Sequence, residues 1–126
     1  MAEVISMRFP ADTEYLSAIR LAVSGVAGVM DYNLDEIEDL KSCVAEACLL
    51  LLCGQKCSFL QIDMEVDEAI RTSVNGVDVR PDTCEDCQEF NEEISRLMIE
   101  ALSENAAFEE ENGILSSISF TKKHSA

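Results

Sequence analysis

Ile5, Met7 and Phe9 alternate with Val4, Ser6 and Arg8 until Pro10, so the chain opens with a short strand closed by a residue that cannot continue a ladder. Asp12 or Thr13 can then cap a helix with Glu14 in its first turn, and Leu16, Ile19, Ala22, Val23 and Val26 recur at helical spacing to about Met30. Gly25 and Gly28 either weaken that helix or let a neighbour approach it closely. Asp31-Tyr32-Asn33 breaks the pattern. Asp35 and Glu36 suit the positive end of a second helix, whose buried stripe is Ile37, Leu40, Val44, Ala47, Cys48 and Leu51. From Leu49 to Leu52 the helix is apolar all round, which requires enclosure on several sides and marks the place for a site or a tight interface.

From Cys57 to Val66, Leu60, Ile62, Met64 and Val66 point one way, and Phe59, Gln61, Asp63 and Glu65 the other. Asp67-Glu68 turns this strand into a neighbour over Ala69–Val74, ahead of Asn75-Gly76, and one sheet face is wet. Val79–Glu85 reads as a polar loop holding Pro81. A third helix is expected from about Asp86 to Leu102, with Phe90, Ile94, Leu97, Met98 and Ala101 turned inward. Ala107–Glu111, the turn signal Asn112-Gly113 and Ile114–Thr121 make a closing hairpin. The order strand, two helices, hairpin, helix, hairpin predicts an α+β fold with helices stacked on one face of a largely antiparallel sheet. One domain over residues 1–121 is expected, followed by a flexible tail over 122–126 in which His124 is a solvated residue.

Composition narrows the function classes. With 48% apolar residues and only five glycines and two prolines, the 126-residue chain can bury a core without staples. A formal charge of −16 repels phosphate backbones and anionic lipid, which argues against nucleic-acid and membrane-surface binding. The longest apolar run, Ala47–Cys53, falls far short of the roughly 20 residues that cross a bilayer, so a cytoplasmic protein is expected. The six cysteines are then expected to be reduced thiols. One histidine rules out a Ser/His/Asp set anywhere but the tail, and no carboxylate pair stands out among 25 acids.

Three stretches carry a resemblance: Met7–Ala47, Ser73–Val79 and Arg96–Lys122. Together they resemble the anti-sigma factor serine kinases of the GHKL, or histidine-kinase-like ATPase, superfamily, which implies a two-layer α/β sandwich. Glu46-Ala47-Cys48-Leu49-Leu50 follows the family pattern Glu-Ala-x-x-Asn. The resemblance assigns Glu46 to the general-base position and puts Leu50 where the family's magnesium-holding asparagine belongs. Leucine offers no lone pair to a hard cation. The family's Asp-x-Gly-x-Gly adenine loop is matched by Val74-Asn75-Gly76-Val77-Asp78, in which valine cannot accept from the adenine amine and only Gly76 survives. Between Gly76 and Gly113 there is no glycine, so Glu93 and Ser95 stand where the phosphate-binding glycines are expected. Taken alone, Glu46 is one more helix acid, Leu50 a core residue and Val74 a strand residue.

The resemblance therefore implies a vestigial pocket of Glu46, Leu50, Val74, Gly76 and Ser95, with no cofactor expected. It implies a regulator that binds a sigma factor, a STAS-type anti-anti-sigma protein, or both, and that forms a homodimer through its first strand and helix. The alternative is an active ATP- and magnesium-dependent serine kinase with Glu46 as base. A second alternative lies in the cysteines: Cys84 and Cys87 form a Cys-x-x-Cys, and with Cys53 and Cys57 four thiolates make a ligand set for zinc or an iron–sulfur cluster, or a redox sensor. The acids beside these thiols work against that reading by raising their pKa.

Overall fold

A five-stranded sheet, in the order β1 (Glu3–Pro10), β3 (Phe59–Val66), β4 (Ala69–Val77), β7 (Ile114–Lys123), β6 (Glu104–Glu111) and antiparallel throughout, carries the helices on one face. In chain order the elements are β1 (Glu3–Pro10), α1 (Leu16–Val29), α2 (Leu34–Leu52), β2 (Gln55–Lys56), β3 (Phe59–Val66), β4 (Ala69–Val77), β5 (Arg80–Pro81), α3 (Glu92–Leu102), β6 (Glu104–Glu111) and β7 (Ile114–Lys123). This is a computed structural model, and it describes residues 2–53, 55–81 and 90–124. The expected two-layer α+β sandwich is thereby observed.

Period-two patterning sets the sheet. Leu60, Ile62, Met64 and Val66 of β3 are buried, as are Ile70 and Val74 of β4 and Ile118 and Phe120 of β7. Register places Ile62 opposite both Met7 and Val74, and Val74 opposite Ile118, so one apolar band runs across four strands. The other face is polar, with Asn75 bonded to Ser73 and Ser117. Asn112 and Gly113 turn β6 into β7 with φ of 55° and 81°, the left-handed pair that a tight hairpin demands.

The helices cover that band with narrow stripes. α1 buries Ile19, Val23 and Ala27. The start of α2 is fixed by a capping box, in which Asn33 Oδ1 accepts from the Glu36 amide and Glu36 Oε1 from the Asn33 amide, each at 2.8 Å. Tyr32, read from sequence as part of a break, is buried and donates its hydroxyl to the Lys122 carbonyl at 2.7 Å, tying the α1–α2 corner to β7.

Several expectations need correction. β4 runs on through Asn75 and Gly76 to Val77, and Arg80–Pro81, expected in a loop, pairs with Gln55–Lys56 as a two-stranded ladder. α3 begins at Glu92 after the Asn91 cap, whose side chain accepts from the Ile94 amide. Its buried residues are Ser95 and Ile99, and Phe90 ahead of it packs against the core as expected, while Ile94, Leu97 and Ala101 are exposed, the first two at 54% and 58%. The reason is local: Ser95 reaches back to Glu46 on α2, and Arg96 is clamped over the Phe108 ring at 4.7 Å, so the helix is rotated away from its most apolar side. Finally, Lys122 and Lys123 close β7 instead of fraying, and His124 packs edge-on against Tyr32, with Nε2 2.8 Å from the Asp31 carbonyl oxygen.

Candidate functional site

The C-terminal half of α2 places Glu46 and Leu50 one turn apart, facing α3 and the core. Ser95 Oγ donates to Glu46 Oε2 at 2.5 Å, and Ser95 is only 3% exposed. The carboxylate expected as a general base is thus held by a serine hydroxyl from α3. Leu50 is 2% exposed and belongs to one continuous core with Cys43, Ala47, Leu51, Val74 and Ile99. Val74 is fully buried between Ile62 and Ile118 on the neighbouring strands.

Gly76 lies at the far end of β4, and protein already occupies the space over it. A Cβ built there would meet Val79 Cγ2 at 2.8 Å, and Cys57 Cβ and Leu51 Cδ2 each at 3.5 Å. Asp78, expected at a glycine position of the resembled loop, keeps a glycine-like backbone at φ 63°, and its carboxylate accepts from Ser58 Oγ at 3.0 Å. A cavity of about 260 Å³ is lined by Gly76, Asp78, Val79, Glu111, Asn112 and Ile114. None of Glu46, Leu50, Val74 or Ser95 borders it.

The five expected pocket residues therefore divide into three groups: a polar Glu46–Ser95 contact between helices, two core side chains, and a glycine under Val79. Leu50 gives no oxygen, Val79 fills the space beside Gly76, and Asp78 and Glu111 make the adjoining cavity acidic. Val79 escaped the sequence reading because its importance depends on how the chain folds back after Gly76, and no periodicity reports that.

Replacing Ser95 with alanine is expected to destabilise the protein by about 1–3 kcal/mol, because it removes a charge-assisted hydrogen bond and leaves the half-buried Glu46 carboxylate without its donor. Urea unfolding of Ser95→Ala beside a Glu46→Gln/Ser95→Ala pair measures it. The pair is expected to recover part of the loss, since a neutral amide tolerates the missing donor better than a carboxylate does.

Of the four cysteines expected as a ligand set, Cys53 and Cys57 lie among the described residues. Cys43, Cys48 and Cys57 are free thiols, while Cys53 is disulfide-bonded, which corrects the expectation that all six are reduced and removes one thiolate from the proposed quartet. Cys84 and Cys87 lie outside the described residues. Burial pushes the Cys43 thiol up to about 11 and Cys48 up to about 12, and it raises Cys57 as well despite the opposing Arg80 charge. Protonated, enclosed thiols of this kind are poor nucleophiles and poor ligands. Among the described residues no group of three or more His, Cys, Asp or Glu side chains is placed to hold a metal ion.

No family model matches the chain. Over 47 residues it is 57% identical to the serine-protein kinase RsbW of Bacillus subtilis (strain 168), a match covering 37% of this chain and 29% of that relative. Proteins of the same name from Bacillus licheniformis and Halalkalibacterium halodurans are 53% identical over 47 residues and 50% identical over 46. These matches take in less than a third of the relatives' length. Among the described residues no helix is long and apolar enough to cross a membrane. Over that stretch the chain is homologous to serine-protein kinases of the anti-sigma factor kinase family, the one its sequence resembles.

Proposed function

We propose that this protein is a regulatory binding protein of the anti-sigma type that has given up the nucleotide site of its kinase relatives. Its partners are a sigma factor, a STAS-type anti-anti-sigma protein, or both, and it works as a homodimer in the cytoplasm. One observation carries the reading: Leu50, at the position of the family's magnesium-holding asparagine, is packed into the core at 2% exposure. The Val79 side chain over Gly76 and the Ser95 hydroxyl on Glu46 support it. Without phosphorylation, control rests on competition between partners for the protein, each displacing the other according to its affinity.

Thermal melting with and without Mg-ATP tests the proposal. At millimolar nucleotide the melting temperature is expected to move by less than about 1 °C, because a ligand that does not bind the folded state cannot stabilise it. A saturable, magnesium-dependent rise of several degrees would overturn it.

A second reading, an active serine kinase using ATP and magnesium with Glu46 as base, is favoured by the names of the relatives, all serine-protein kinases. Radiolabel transfer from ATP to a STAS partner, abolished by Glu46→Gln, is the result that would establish it.

A further inference from the structure

The apolar arc of α3 is wider than the stripe the core takes up. Ser95, Ile99 and Leu102 lie towards α2 and the sheet, whereas Ile94, Leu97 and Ala101, spaced i, i+3 and i+7, form a continuous strip on the solvent side. Ile94 and Leu97 are 54% and 58% exposed. Single exposed leucines are ordinary, but two large side chains in line on one short helix make a ridge suited to packing against another helix. Along one flank of this strip stand Glu93 and Glu100, both exposed. The one cation of α3, Arg96, is already engaged by Glu92 at 3.1 Å and by the Phe108 ring.

We propose that this outward face of α3 is a docking surface for a basic amphipathic helix of another protein. Leucine- or isoleucine-type anchors of the partner would pack along Ile94, Leu97 and Ala101, and its lysine or arginine flank would face Glu93 and Glu100. Charge selects this occupant. A second copy of the chain packed by the same face across a two-fold axis would set Glu93 and Glu100 against their own images, on molecules of formal charge −16 each. An anionic lipid surface meets the same repulsion. A cationic helix gains from the field at long range and from the apolar strip at contact. The surface goes beyond the regulatory reading above and needs no nucleotide, so the outcome with Mg-ATP leaves it standing or falling on its own test.

The probe is a fluorescein-labelled synthetic helix of about 18 residues, or five turns, with leucines on one stripe and lysines beside it, followed by anisotropy in about 0.1 M salt. Saturable binding is expected, at least tenfold weaker to Leu97→Glu and at least threefold weaker to Glu93→Lys/Glu100→Lys. All three positions are exposed, so each variant should melt close to the parent. Binding no tighter than that of a scrambled peptide of the same composition overturns the proposal, as does equal binding to Leu97→Glu. Sedimentation of the parent as a dimer that Leu97→Glu splits into monomers would overturn it too, by assigning the strip to self-association.

Discussion

Leu50→Asn, which restores the residue the kinase pattern carries, is expected to cost about 3–5 kcal/mol of stability and to gain no magnesium dependence. The leucine is 2% exposed and shares one core with Cys43, Leu51, Val74 and Ile99. Removing its branched tip forfeits about 2–3 kcal/mol of apolar burial, and an amide placed there adds a desolvation cost of about 1–3 kcal/mol because its surroundings offer little to bond. A domain of this size is stable by only about 5–15 kcal/mol, so the melting temperature should fall by about 10–20 °C. Leu50→Met, which conserves volume, should cost less than about 1.5 kcal/mol. If Leu50→Asn instead melts within a degree or two of the parent and is stabilised by Mg-ATP, the site is an open cleft with one residue missing, and the reading of a filled pocket is wrong.

What could be read from the sequence follows from how local each feature is. The pleat alternation of β3 and the Asn112-Gly113 turn are written in neighbouring residues, and the structure matches both. The stripe of α2 was legible because a long helix averages over many positions. α3, at 11 residues, offers no such averaging, and two specific contacts, Ser95 to Glu46 and Arg96 to Phe108, outweigh its apolar periodicity. Tyr32 and His124 were misjudged because their contacts come from strands and corners that meet only in the fold, about 90 residues apart in the chain. At the candidate site, the residue types at Glu46, Leu50 and Val74 could be compared with a family pattern. Their division into separate environments, and the role of Val79, could not.

The buried thiols lead to the second large effect, a loss of stability at alkaline pH. Cys43 titrates at about 11 and Cys48 at about 12 in the folded protein, both raised by burial from an ordinary value near 9. A thiol whose folded pKa is raised binds its proton more tightly than the unfolded chain does. Its contribution is therefore fully present below about pH 9 and is lost as pH climbs from there towards 11–12. Between pH 8 and 10.5 the two groups together should remove about 3–4 kcal/mol, and Tyr32, raised by the same desolvation, adds to the fall. Urea unfolding at both pH values, in about 0.5 M salt to screen general charge repulsion, measures it. Cys43→Ala/Cys48→Ala should be less stable at pH 8, because both side chains fill core volume, yet should lose far less between the two pH values. A parent whose stability is flat across that range would mean that these thiols reach water. Core hydrophobes would then be the wrong description of Cys43 and Cys48.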